Sequence, residues 1–189
     1  MERFSSPILS TVVRLHFHAS LRLSLRITRR ETESKFLRLS VHIQDLITLT
    51  KEKIILGIDP GTNILGYGVI SVDSKGPHYV DMGVFDLRKI HDPYEKLANI
   101  FSGVCELIDI HKPDELAIES PFYGKNVQVV LKLGRAQGAA ITAAVMKGLS
   151  VQEYAPRKAK IAICGNGDAS KEQVALMLSK TLKVNLDSK

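Results

Sequence analysis

The run Lys53-Ile-Ile-Leu-Gly-Ile-Asp59 constrains the fold more than any other stretch of this chain. It is short, apolar and β-branched, and its apolar residues do not alternate with polar ones. A strand of that kind is buried on both faces, so it belongs inside a sheet rather than at its margin. It ends on a carboxylate, and Pro60-Gly61-Thr62-Asn63 after it is a turn by composition.

The rest of the chain builds outward from this strand. Residues 65–72 (LGYGVISV) predict a second strand, 73–77 a hairpin loop and 78–87 a third strand, which completes a three-stranded meander. Asp92 before Pro93 predicts a helix cap and first helical residue. Leu97, Ile100, Phe101, Val104, Leu107 and Ile108 recur at spacings of three and four, one face of an amphipathic helix. Residues 115–119 (ELAIE) predict a fourth strand. A helix between strands implies a crossover, so strand four runs parallel to a neighbour. A second helix is predicted over 126–147, a fifth strand over 151–154, a short helix over 155–163 and a loop over 165–168. Ser170 with Gln173 three residues on opens a last helix, with Val174, Leu178 and Leu182 as its apolar stripe. The order βββαβαβα predicts an α/β fold on a mixed five-stranded sheet, an antiparallel meander plus parallel strands, flanked by helices.

Composition limits the function classes. The 189 residues are 44% apolar and 24% charged, the balance of an ordinary globular protein. No uninterrupted apolar run approaches the ~18 residues of a membrane span, so no membrane role is expected. Cys105 and Cys164 stand far apart without a CxxC pair, which argues against a disulfide scaffold or a zinc ribbon and suits a reducing, cytoplasmic setting. The net charge of +6 is uneven: residues 1–53 carry 10 Lys+Arg against 5 Asp+Glu. Global basicity is therefore weak evidence for a nucleic-acid partner.

Residues 1–52 differ in character from the remainder of the chain. Within them, 3–30 hold six Arg and five Ser with no acid and no Gly, a composition resembling an organelle transit peptide. A phosphate-contacting basic arm and non-native upstream sequence from a misplaced start are the competing readings. The segment is expected as an extension, disordered or non-native, ahead of a domain at 53–189.

The chemistry concentrates where strands end. Asp59 closes strand one and Glu119 closes strand four. Ligands of open α/β sheets bind at the carboxyl ends of parallel strands, and neighbouring strands lie about 4.8 Å apart. If strands one and four are neighbours, both carboxylates reach one ion. Two hard oxygen donors suit Mg²⁺, which keeps waters and takes substrate phosphate. That chemistry supports phosphodiester hydrolysis. Each acid taken alone reads as a solvated strand-end carboxylate or as a helix cap after the strand.

At Ile58-Asp59-Pro60-Gly61-Thr62 and Ala117-Ile118-Glu119-Ser120-Pro121-Phe122 the chain resembles the RuvC family, bacterial Holliday-junction resolvases of the ribonuclease-H-like superfamily. Supporting stretches, in family order, are Gly66-Tyr-Gly-Val69, Leu131-Lys-Leu-Gly134 with Gly138, Glu153-Tyr154, and Gly165-Asn-Gly167 followed by Ser170-Lys171. An isolated IDPGT is weak, because sugar kinases and chaperone ATPases carry similar turns. The resemblance covers about 53–185 and implies a homodimeric endodeoxyribonuclease that nicks four-way DNA junctions symmetrically in recombination and repair. It implies Mg²⁺, with Mn²⁺ able to substitute, at two ions per subunit, and RuvA and RuvB as branch-migration partners. Asp59 and Glu119 match the first two of four metal-binding acids, Phe122 an aromatic that contacts unstacked bases, and Lys160 and Lys171 basic residues near the scissile phosphates. The small-residue helix (Gly134, Ala136, Gly138, Ala139, Ala140, Ala143, Ala144) matches the family's central helix, which permits close approach to the sheet or to a second subunit.

One departure stands out. The family's third and fourth acids follow a D-x-x-D-A-L-A-like pattern soon after the segment matching Leu182-Lys183, and alignment from there puts the third beyond Lys189. The chain reads as C-terminally truncated, with weak metal binding and poor or no cutting expected, and Asp187 is not expected to replace the missing ligands. Two other classes compete: a catalytically impaired junction-binding protein, and a phosphotransferase or ATPase of the same superfamily, which would need a second phosphate-binding DxG motif.

Overall fold

Five β-strands and four α-helices make up the described part of the molecule, a computed structural model in which residues 52–120 and 126–184 are described. Readings made on 1–51, on Phe122 and on Asp187 lie outside those residues. Strand β1 (Lys53–Asp59) is buried continuously from Ile55 to Ile58. It lies third in a sheet ordered β3-β2-β1-β4-β5. β2 (Ile64–Asp73) and β3 (Gly76–Asp86) continue the antiparallel meander, while β4 (Glu115–Glu119) pairs parallel with β1 and β5 (Ser150–Tyr154) parallel with β4.

The hairpin is tighter than the composition suggests. Asp73 pairs with Gly76, which leaves Ser74 and Lys75 as a two-residue turn with Gly76 at φ +118°. β3 therefore starts two residues before the expected 78. It tolerates Pro77 because proline is accepted at strand starts and on edge strands, and β3 supplies both. A bulge at Val80 shifts the β2–β3 register between Val69 and Ile70.

Helix α1 (Pro93–His111) follows the expected pattern. The Asp92 side chain accepts from Tyr94 N at 2.7 Å and Glu95 N at 2.8 Å, and the helix stops at Lys112 in the left-handed region. Ile100, Val104, Leu107 and Ile108 are buried, with Leu97 and Phe101 partly so. Gly103 lets α1 approach the sheet, since a Cβ there would lie 2.8 Å from the Phe85 ring.

Helix α2 (Val127–Met146) divides its small residues between two faces. Ala136, Ala140, Ala143 and Ala144 are buried against α1 and the sheet, whereas a Cβ at Gly134 or Gly138 would meet nothing within 4 Å. By length and composition alone, the helix is apolar enough to cross a membrane. The sequence criterion, an uninterrupted apolar run, does not pick out this helix because Lys132 and Arg135 interrupt it. Its alanine face packs as a core helix's does, while the other face is open.

Two further helices complete the chain order. α3 (Pro156–Cys164) and α4 (Lys171–Leu182) form separate elements, so the order is βββαβαβαα. Ser170 and Gln173 form the expected reciprocal cap, and Val174, Leu178 and Leu182 are buried. The sheet separates two apolar clusters. One joins Leu56, Ile58, Leu116 and Ile118 to α1 and α2. The other joins Ile55, Ile70, Val72 and Ala117 to α4.

Candidate active site

Parallel register sets Asp59 beside Glu119. Ile58 pairs with Ile118, so Asp59 and Glu119, the last residues of their strands, stand side by side at the same end of the sheet. Side chains alternate between faces along a strand. Ile58 and Ile118 belong to the α1–α2 cluster, so Asp59 and Glu119 face the side covered by α3 and α4.

The turn after Asp59 is fixed from three directions. A Cβ at Gly61 would stand 1.8 Å from the Ile64 carbonyl oxygen, so only glycine fits this reversal. Leu87 N donates to Asn63 O at 2.8 Å. The Lys96 ammonium donates to Thr62 O and Asn63 Oδ1, both at 3.0 Å. On the β4 side, Ser120 N donates to Tyr154 O at 2.9 Å. Gln137 Nε2 reaches Glu119 O at 3.4 Å and Glu153 Oε2 at 2.8 Å. Gly61→Ala is expected to destabilise the domain by about 1–3 kcal/mol, because the clash is with backbone that cannot swing aside. Thermal unfolding of the purified variant measures this, and a melting temperature within 1 °C of the parent, roughly the scatter of such measurements, would count against it.

Burial dominates the electrostatics of the pair. Desolvation lifts the Asp59 carboxyl to about 6, opposed by the Lys171 ammonium. Glu119 rises to about 7 through desolvation and then through the Asp59 charge, opposed by Lys160 and Lys171. Among the described residues, no hydrogen bond or ion pair occupies either carboxylate side chain. Two partly buried, mutually repelling carboxylates without a local partner form a donor set suited to a divalent cation. No group of three or more His, Cys, Asp or Glu gathers among the described residues.

The structure thus brings together four of the five residues singled out from the sequence: Asp59, Glu119, Lys160 and Lys171. Lys171 is the first residue of α4, beside its Ser170 cap, and Lys160 lies within α3. Phe122 falls outside the described residues. Lys96 and Gln137 were not anticipated. Lys96 lies 34 residues from the carbonyl it holds, so no local pattern betrays it. Gln137 did leave a signal, as a polar residue within an otherwise small and apolar helix segment.

A mixed sheet with paired acids at the ends of two parallel central strands, and lysines facing them, defines a nuclease of the ribonuclease-H-like class. The family model described as "Crossover junction endodeoxyribonuclease RuvC" matches residues 55–189. The chain belongs to the RuvC family, whose members are metal-dependent nucleases, enzymes of the hydrolase class. It is 57% identical over 137 residues to the RuvC crossover junction endodeoxyribonuclease of Bacteroides fragilis, covering 72% of this chain and 73% of the relative. The Thermus thermophilus RuvC structure matches with a TM-score of 0.65 at 32% identity, covering 72% of this chain and 84% of that one. A second structure, T. thermophilus RuvC in complex with Holliday junction substrate, matches at 0.64 and 28% identity, covering 72% and 83%.

Proposed function

We propose that this chain resolves four-way DNA junctions by Mg²⁺-dependent phosphodiester hydrolysis, with Asp59 and Glu119 as metal-holding carboxylates. The observation that carries the reading is the side-by-side placement of these two acids at the ends of β1 and β4, without a hydrogen-bond partner among the described residues and within the field of two lysines. A bound divalent ion supplies Lewis-acid activation of water and of the leaving oxygen. The protein's own residues do the rest. The strand ends hold both oxygen donors at one edge, and Lys160 and Lys171 draw a phosphate to that edge and offset its charge. Phe122 is proposed to stack on unpaired bases at the junction.

The functional unit is proposed to be a homodimer, so that two sites nick two strands symmetrically. The open Gly134–Gly138 face of α2 leaves room for a second subunit to approach closely. The proposed setting is the cytoplasm, with RuvA and RuvB as partners and Mn²⁺ able to replace Mg²⁺. The test is a synthetic four-way junction against linear duplex of the same sequence, with Mg²⁺, with Mn²⁺ and with chelator. Paired nicks on the junction that require metal support the reading. Junction binding without cleavage at any metal concentration would reassign the protein as a junction-binding module.

Residues 53–189 are proposed as the folding unit, with 1–52 dispensable. A protein beginning at Lys51 is expected to melt within about 2 °C of the full chain, equivalent to less than 1 kcal/mol at this size. A drop several times larger would mean that the N-terminal segment packs on the domain.

A further inference from the structure

Gln137 stands on the opposite side of the sheet from the two carboxylates. It is 7% exposed, and its neighbours on the buried face of α2 are Ala136 and Ala140. A buried amide among alanines is unfavourable unless its hydrogens find acceptors. Here Nε2 carries two hydrogens and meets two acceptors, Glu153 Oε2 at 2.8 Å and the Glu119 carbonyl oxygen at 3.4 Å. The match matters because of where Glu119 sits. The β1–β4 pairing stops at Ile58 and Ile118, so on the β1 side Glu119 has no ladder partner. On the other side it pairs with Tyr154, and Ser120 N bonds Tyr154 O. Its carbonyl contact with Gln137 joins the strand end to α2 and to Glu153.

From this geometry we infer that Gln137 is a positioning residue: it ties the end of β4 to α2 and Glu153, and so sets where the Glu119 carboxylate stands relative to Asp59. The inference rests on the metal-site reading of Asp59 and Glu119. A purely structural Gln137 would affect melting alone, whereas a positioning one changes metal affinity.

The test uses the full chain and Mn²⁺ as probe, with free Mn²⁺ followed by electron paramagnetic resonance without DNA. Gln137→Met keeps length and apolar volume but removes both donors. It is expected to raise the half-saturating Mn²⁺ concentration about tenfold, the lower end of what loss of a supporting partner does to a metal site. Junction affinity measured in chelator should stay within about twofold, the size of a 0.4 kcal/mol change. Gln137→Arg, which offers donors to both acceptors, is expected to restore Mn²⁺ half-saturation to within about threefold of the parent. A folded Gln137→Met protein with unchanged Mn²⁺ half-saturation overturns the inference, as does Gln137→Arg binding as poorly as Gln137→Met. If Gln137→Met does not fold, Glu153→Leu decides, since it removes the outer anchor: weaker Mn²⁺ binding supports the inference and parental binding overturns it. Asp59→Asn separates the two levels. Its retention of parental Mn²⁺ affinity defeats the metal-site reading itself. Its loss of affinity beside an unaffected Gln137→Met defeats only the positioning role.

Discussion

Asp59→Asn is expected to lower junction cleavage by at least about 10³-fold at saturating Mg²⁺ or Mn²⁺, a loss of about 4 kcal/mol of transition-state stabilisation. The substitution keeps volume and removes the charge. β1 is an interior strand, paired along its full length with β2 and over four residues with β4. The turn beyond Asp59 is held by Lys96 and by the Leu87–Asn63 bond. This anchoring makes its carboxylate the best fixed of the candidate donors, and among the described residues no third carboxylate, His or Cys gathers with the pair to substitute for it. Junction binding should persist or tighten, because a carboxylate near phosphates repels them. Glu119→Gln should act in the same direction. Cleavage and gel-shift assays on the purified protein, with a parental control, provide the measurement. Near-parental cutting by a folded Asp59→Asn protein would remove Asp59 from the site.

The same substitution should make the metal-free protein more stable at alkaline pH. Burial raises Asp59 from 3.8 to about 6 and Glu119 from 4.5 to about 7. Folded values above unfolded ones mean that the folded state holds protons more tightly. The associated stability is complete below about pH 4, is lost progressively as pH rises from there, and is gone once pH has passed the folded values of about 6 and 7. At pH 8 without metal, two charged carboxylates repel each other in a partly desolvated site. Removing one charge is expected to stabilise the fold by about 2 kcal/mol, or roughly 5 °C in melting temperature. Below about pH 4, where Asp59 is protonated in both folded and unfolded states, the difference between Asp59→Asn and parent should shrink towards zero. Comparing variant with parent at each pH cancels the opposite contributions of Asp73, Asp86 and Asp109, whose carboxyls hydrogen bonds hold below their ordinary values. Saturating Mg²⁺ at pH 8 should stabilise the parent and leave the variant nearly unmoved. Thermal unfolding at both pH values, with and without chelator, measures all of this. A variant no more stable than the parent at pH 8 in chelator would show that burial does not strain the pair.

Much of the architecture was readable residue by residue because its signals are local. An unbroken apolar strand must be interior, and β1 lies third of five. Asp92 and Ser170 cap α1 and α4 as their side-chain chemistry requires. The strand-end positions of Asp59 and Glu119 follow from the apolar runs that precede them. Where the reading slipped, the local rule was overruled by context. Proline at 77 argued for a loop, yet an edge strand absorbs it at no cost in ladder bonds.

The sequence alone determined the identity of the strands and helices, their caps, and the fact that two of the strands end in acids. Only the tertiary structure decided that those acids share an edge, because the β1–β4 register depends on a crossover spanning more than fifty residues. It alone decided that both face α3 and α4, where the charge of Lys171 acts on both and that of Lys160 on Glu119, and that desolvation, a property of the packed molecule, lifts both carboxyls. It alone linked Lys96 to the turn after Asp59 and Gln137 to Glu119. Those contacts span 34 and 18 residues, distances over which side-chain periodicity carries no information, since it reports only which face of its own element a residue occupies.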